Sequence, residues 1–427
     1  MMLILLFSIF LVLLFMGMPV AYAMSISACV TLFFDPSLPG LIIPQKMFTA
    51  MDSFSLMAIP FFMLAGSLME QCGITRKLVD FARSLVGHFT GGLGHATIVT
   101  GVLMAGVSGS ANADTAAIAS ILVPALRNEG YDDGYACAMV SGCGALGPVI
   151  PPSIMMVIYS GVTSIAIGAL FMAGFLPGIL IGLGYMFVNY LYARRTGIPR
   201  DKFIGWKKLG SATLHAIPAL VMPFIIIGGI LSGVVTATES GVLACTYSVI
   251  YGLCCRTLNW EKFKKCVDGA VSATTNSMII IAFAGLFGAL VTNYNMSKVI
   301  LSVMTAFTSS PNVVLIFISV VLFVAGMFID SNAAMLMLVP IFAPLIGQYQ
   351  FHPLHFAMVC ILTLDMGGMS PPVGLLMYLS ANITDTPLGK VVKNIWQFIA
   401  VNYAVTILTI FIPAIVLLLP KLSGLIS

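Results

Sequence analysis

Apolar residues run in stretches of roughly 20 along most of this chain, the length that carries a helix across a bilayer. Between them lie short polar breaks rich in glycine, proline, serine and asparagine. The pattern predicts a first helix over 2–34, bent near Pro19, then a loop containing Asp35 and Pro36. Further helices are expected at 55–72, 91–107, 111–127, 134–147, 166–192, 211–234, 239–254, 269–292, 296–307, 311–329 and 395–420. The segment 74–86 differs from these. Ile74, Leu78, Phe81, Ala82, Leu85 and Val86 share one helical face, widened by Val79, while Arg76, Lys77 and Arg83 lie outside it. It reads either as a helix lying in the membrane interface or as an ordinary cytoplasmic connecting helix.

One interrupted motif occurs twice, 220 residues apart. Gly106, the run Ser110 to Ala113, Pro124, Gly147, the pair Pro151-Pro152 and Ser160 form the first copy. Adding 220 gives Gly326, the run Asp330 to Ala333, Pro344, Gly367, the pair Pro371-Pro372 and Ser380. A bilayer tolerates non-helical backbone only where protein buries it or where it lines a watery cavity. A duplicated pair of such breaks is a pointer to the binding site of a secondary transporter.

Composition sharpens the class. Apolar residues make up 59% of 427 and charged residues 8%, with a mean hydropathy of +1.07. No single water-soluble core hides that much apolar surface, so the expectation is an all-α polytopic membrane protein. The apolar runs are too long for the alternating strands of a membrane barrel. The net charge of +4 carries no message about nucleic acid; its distribution reads as topology. Arg194, Arg195, Arg200, Lys202, Lys207 and Lys208 stand against Asp201 in one loop, and Arg256, Lys262, Lys264 and Lys265 fill another. Two spans separate these loops, and the positive-inside rule puts both in the cytoplasm. The basic 74–86 segment is then cytoplasmic. Its counterpart 296–307 carries only Lys298 and is external. The two repeats are therefore expected to be inverted.

Nine scattered cysteines form no CxxC pair and read as small membrane-core residues. Met1–Met16 lacks a basic leader region and reads as membrane helix rather than a cleaved signal.

The breaks suggest the chemistry. Carbonyls freed from helical pairing can coordinate a hard cation such as sodium, and half-helix starts can hold a carboxylate. Glycine permits the turns, and a proline pair removes two amide donors, leaving carbonyls upstream free. Ser108, Ser110, Asn112, Asp330, Ser331 and Asn332 stand at the tips. The competing reading is close helix packing by small residues. Asp114, Glu239, Asp330 and Asp365 are carboxylates within apolar sequence. Each costs about 2.5–3.5 kcal/mol at the midplane, so each invites an ionic or hydrogen-bonded role. Asp330 leads because it sits at a repeat landmark. Asp114 has no acidic counterpart, since Ala334 stands 220 residues on. Glu239 follows Thr236 at capping distance and reads equally as a helix cap. His95 and His215 are expected to be interfacial.

Gly106-Val-Ser-Gly-Ser-Ala-Asn-Ala-Asp114, Gly147-Pro-Val-Ile-Pro-Pro-Ser153 and Asp365-Met-Gly-Gly-Met-Ser-Pro-Pro-Val-Gly374 resemble the large membrane subunit of TRAP (tripartite ATP-independent periplasmic) transporters. So do Ile59-Pro-Phe-Phe-Met-Leu-Ala-Gly66 and Gly73-Ile-Thr-Arg-Lys77, so the resemblance spans nearly the whole chain. It implies a sodium-driven, elevator-type symporter of the bacterial inner membrane. It also implies a small four-helix membrane subunit and a soluble periplasmic protein that delivers an organic acid such as sialic acid or a C4-dicarboxylate. Carried over residue by residue, one sodium site would involve Ser108, Gly147, Ile150 and Pro152, mainly through backbone oxygens. The other would involve Asp330, Gly367, Ser370 and Pro372. The substrate would sit near Ser110, Asn112 and Asn332. The expected organisation is an N-terminal helix and loop (1–54), a first repeat (55–192), basic loops with two scaffold helices (193–268), a second repeat (269–394) and a C-terminal helix (395–427). Two other classes remain open at this point: an intramembrane aspartyl protease using Asp114, Asp330 or Asp365, and an ion channel. No Gly-x-Gly-Asp motif occurs.

Overall fold

The computed structural model describes residues 1–198, 200 and 205–426, without the side chains of Trp206 and Lys208. Asp201 and Lys202 of the first basic loop lie outside the described residues. Every regular element among the described residues is a helix. Six of them are long and apolar enough to cross a membrane. Large apolar side chains face outward along them, for example Leu214 at 68% and Phe224 at 77% exposure on Trp206–Leu231. Such a surface is stable only against lipid or other apolar partners.

The 220-residue offset holds for whole elements. Gly92–Ser108 shifts to 312–328, against an observed Pro311–Phe328. Ala111–Asn128 shifts to 331–348, against Ser331–Phe342 plus Pro344–Gln348. Asp133–Gly144 shifts to 353–364, against Pro353–Gly368, and Ile154–Thr163 to 374–383, against Leu375–Ile383. Ile74–Val86 shifts to 294–306, against Met296–Phe307. Each repeat thus holds a short amphipathic helix, a hairpin turning at a tip, and a helix broken at a proline pair.

One contact fixes the relative orientation of the repeats. The Arg127 guanidinium, at the mouth of the first hairpin, donates to the Thr384 carbonyl and the Thr386 hydroxyl, each at 2.7 Å. Thr384 ends the second broken helix. Within a repeat, the hairpin mouth and the far end of the broken helix lie at opposite ends of the bundle, because the broken helix starts beside the mouth and runs past the tip. Thr384 therefore lies opposite its own hairpin mouth, yet beside Arg127. The two hairpins open to opposite sides, and the repeats are inverted. Ser141 and Ser380 share a buried 2.8 Å hydrogen bond in the same seam.

A second group of helices forms a wall beside the repeats. Trp260–Asn293 packs on Val20–Phe33, Ile42–Met51, Ala58–Gln71 and the second hairpin helix Ser331–Phe342. Ala237–Cys254 packs along Ala58–Gln71. Glu239 is a helix cap: the Thr236 amide donates to its carboxylate at 2.7 Å, while the Glu239 amide donates to the Thr236 hydroxyl at 3.3 Å. Ile74–Val86 buries Ile74, Leu78, Val79 and Ala82 against Gly92–Ser108 and Trp206–Leu231, and Lys77 bonds the Tyr251 hydroxyl. Leu85, expected on the apolar face, is exposed.

Four expected elements are corrected. The single helix over 2–34 is two helices, Met2–Phe15 and Val20–Phe33, separated by Gly17 at φ +84 and Pro19. Phe10 packs on Phe287 at 5.4 Å and Tyr22 on Phe283 at 6.0 Å. On a straight helix residues 10 and 22 would lie about 18 Å apart along the axis, against about 6 Å for 283 and 287. The chain therefore folds back, and each arm, about 21 Å long, is too short to cross alone. The loop after Asp35 contains an unexpected helix, Ile42–Met51. The two helices placed at 269–292 and 395–420 begin earlier, as Trp260–Asn293 and Leu388–Phe411, and the latter ends before a short Ala414–Leu422. Lys262, Lys264 and Lys265 therefore stand on the first turns of a helix rather than in a loop, and Lys262 donates to the Thr257 carbonyl at 2.9 Å.

Candidate functional site

The first tip is a tight backbone turn. Gly109 adopts φ +62, and a Cβ there would run into the Pro152 carbonyl. Ile154 donates its amide to the Gly109 carbonyl at 3.3 Å, which ties the tip to the broken helix. Ser110 caps the helix Ala111–Asn128, but weakly, accepting the Ala113 amide at 3.5 Å. Gly147 lies directly under the turn: a Cβ there would stand 3.1 Å from the Ala111 nitrogen and 3.0 Å from Asp114 Oδ2.

Asp114 is fully buried. Ser108 donates its hydroxyl to Asp114 Oδ1 at 2.6 Å and accepts the Ser110 amide at 3.1 Å. Asp114 Oδ2 has no hydrogen-bond partner. A buried carboxylate oxygen left bare is costly, and a small cation or a proton would relieve it. Of the four residues expected around the first cation, Ser108, Gly147 and Pro152 do meet at this turn. The Ile150 side chain packs on Gly178 of Ile167–Thr196. Asp114 stands beside them at the turn, although it has no acidic counterpart 220 residues on. It sits one helical turn below Ser110, on the same face, so the i+4 spacing was the available signal.

The second tip uses a different register. Asp330 caps Ser331–Phe342, accepting the Asn332 amide at 3.0 Å and the Ala333 amide at 3.3 Å. Ser331 donates to the Leu364 carbonyl at 3.1 Å, joining tip and broken helix. Gly367 packs backbone to backbone on Gly326. Ser370 donates its hydroxyl to the Met366 carbonyl at 2.8 Å, and Gly374 turns the chain at φ +53 after Pro372. Both proline pairs, Pro151-Pro152 and Pro371-Pro372, are joined by cis bonds. Each break thus holds one tip carboxylate, Asp114 in the first and Asp330 in the second, four residues apart in repeat register.

Both tips line one cavity of 430 Å³. Ser110 and Asn112 enter from the first, Asp330, Ser331 and Asn332 from the second, and Asn276 and Ser277 from the wall helix Trp260–Asn293. Asp365 also lines it, 4% exposed. No lysine or arginine is among the lining residues. A second cavity of 230 Å³ shares Met63, Ser110, Ala113 and Ala273 with the first and reaches Asp114, Glu70 of Ala58–Gln71 and Thr75 of Ile74–Val86. His95 and His215 take no part: His95 bonds the Thr90 carbonyl at 3.2 Å and His215 the Ser211 carbonyl at 2.7 Å. No described cysteine is disulfide-bonded.

Known proteins resemble this chain in sequence and in fold. Residues 7–415 match the family described as tripartite ATP-independent periplasmic transporter, DctM component. The chain is 34% identical to YgiK of Salmonella typhimurium, over 98% of this chain and 97% of that one. It is 33% identical to SiaM of Vibrio cholerae, named a sialic acid TRAP transporter large permease protein, over 96% of each. DctM of Pseudomonas aeruginosa, named a C4-dicarboxylate TRAP transporter large permease protein, is 34% identical over 89% of each. Among solved structures, the YdaH transporter of Alcanivorax borkumensis has the same fold, with a TM-score of 0.64 at 14% identity over 87% of this chain and 86% of that one.

Proposed function

This chain belongs to the DctM component family of TRAP transporters, and from that premise we propose that it couples inward movement of sodium to uptake of an organic acid. It is a multi-pass permease of the bacterial inner membrane, not an enzyme. The observation that carries the coupling is the convergence of two hairpin tips on a single cavity, with Asp330 lining it and Asp114 buried just behind the first tip.

The residues divide the work. Ser108, Asp114, Gly147 and Pro152, with the Ile150 carbonyl, hold one sodium ion at the first break. Asp330, Gly367, Ser370 and Pro372 hold the other at the second. At the first tip the cation offsets the bare Asp114 oxygen, and at the second it adds to the two amides that already hold Asp330, so each tip closes best when loaded. Ser110, Asn112 and Asn332 receive the substrate between the tips. The cavity branch toward Glu70 and Thr75 supports reading this as the cytoplasm-facing stage, because the basic helix Ile74–Val86 is assigned to that side by its charge. Import then requires the paired repeats to move as a body against the wall of Ala58–Gln71, Ala237–Cys254 and Trp260–Asn293, in an elevator-type step. A small four-helix membrane subunit extends the wall, and a periplasmic binding protein delivers the acid.

The driving force suffices. Two sodium ions entering down ~100 mV and a tenfold gradient supply about 7.4 kcal/mol, and a monoanion moving against the same potential costs ~2.3 kcal/mol. Replacing external sodium by choline should abolish uptake in proteoliposomes that hold the permease, its small subunit and its binding protein. Undiminished uptake in choline would remove sodium from the account.

The protease alternative has no support in the geometry. Asp330 and Asp365 share the cavity but no hydrogen bond, and Asp330 is engaged with the amides of its own helix.

A further inference from the structure

The two tips look alike in outline but offer opposite chemistry to an anion. At the first tip, the Asn112 amide has no partner among the described residues, and the Ala113 amide is held only at 3.5 Å by Ser110. At the second, the equivalent Asn332 and Ala333 amides are already taken by Asp330. A helix start with free amides attracts a carboxylate; one capped by its own carboxylate does not. A single substrate carboxylate therefore has one seat, at the first tip.

Asp365 decides what lies at the other end. It is 4% exposed, it lines the cavity beside Asp330, Ser331 and Gly368, and no hydrogen bond or ion pair reaches its carboxylate among the described residues. It falls outside both proposed sodium sets, so a cation at Asp330 leaves it uncompensated. A buried carboxylate facing a cavity without a partner awaits a donor. Among the apolar side chains that make up much of the lining, Asn276, Ser277, Ser331 and Asn332 supply the hydroxyls and amides that suit a hydroxylated chain.

We propose that Asp365 accepts hydrogen bonds from substrate hydroxyls, and that the substrate is a polyhydroxylated monocarboxylate of the sugar-acid type rather than an unsubstituted dicarboxylate. This rests on the carboxylate-transport reading above. A second carboxylate would be brought against Asp365 and repelled, whereas a hydroxyl would satisfy it. Because the lining has no basic residue to compensate, the discrimination falls on this one side chain.

The test is thermal stabilisation of the full-length chain in nanodiscs, in sodium and in choline, with D-gluconate, hexanoate and succinate as probes. Wild type in sodium should respond to gluconate at least tenfold more strongly than to succinate or hexanoate, read as the concentration giving half the shift. Asp365→Ala should lose the gluconate preference. Asp365→Asn, which keeps a similar shape without the charge, should gain affinity for succinate by about tenfold. Equal responses to gluconate and succinate in wild type, or an unchanged preference in Asp365→Ala, overturn the assignment. Stabilisation by sodium with no response to gluconate also overturns it, while leaving sodium coupling intact. If neither sodium nor any of the acids stabilises wild type, the transport reading itself fails and this inference falls with it.

Discussion

Asp330→Asn should reduce sodium-driven uptake at least a hundredfold while leaving the protein folded. Asp330 has two tasks. Its carboxylate caps Ser331–Phe342 through the Asn332 and Ala333 amides, and in the proposed mechanism it holds a cation. Asparagine is as good a cap as aspartate, so this substitution keeps the first task and removes the second. Removing one partner of a buried charge pair costs about 3–5 kcal/mol, which at 1.4 kcal/mol per decade is more than a hundredfold. Asp330→Ala removes the cap as well and should melt earlier, by about 1 kcal/mol of lost stability. Asp330→Ser copies the residue at position 110 of the first repeat. It should fold and fail to transport, since the second register has Ala334 where the first has Asp114. Uptake by Asp330→Asn near the wild-type rate would mean that the charge has no part in coupling.

Gly367→Val should lose both uptake and thermal stability. A Cβ at Gly367 would stand 2.6 Å from the Gly326 Cα and 2.9 Å from the Phe323 carbonyl oxygen. These are backbone atoms, so no side chain can turn aside to make room. Pro311–Phe328 and Pro353–Gly368, which pack along each other, would have to separate. Overpacking of this kind costs about 3 kcal/mol, and the parting helices would pull the second tip away from its broken helix. Gly389→Ala is the control. Nothing lies within 4 Å of its Cβ position, and a helical Gly→Ala change is neutral or mildly stabilising. Melting curves of the purified variants separate the two outcomes.

How far the sequence foretold this arrangement depends on whether function or lipid shaped the segment. The breaks were legible because glycine, proline, serine and asparagine inside apolar runs have few purely structural uses in a bilayer. Their 220-residue spacing carried over to whole helices. Inversion rested on three basic residues in one short helix and is independently required by the contact of Arg127 with Thr384 and Thr386. The N-terminal fold-back was hidden because Met2–Phe15 and Val20–Phe33 are uniformly apolar, so no periodicity marks an inner face. Gly17 and Pro19 were visible, but a bend and a reversal share the same signal. Leu388–Phe411 starts earlier than its apolar run because exposed Lys390 and Lys393 stand on its first turns, where a helix end tolerates charge. Asp114 was underrated because the repeat was expected to conserve position. The fold conserves the face instead, and one helical turn separates the two carboxylates in register.

If each break holds one sodium ion, binding of radioactive ²²Na⁺ to the purified chain should count them. About two ions are expected per wild-type chain and about one for each of Asp114→Asn and Asp330→Asn, in protein that remains folded. Equal sodium binding by wild type and both variants, or none by wild type, would contradict this occupancy.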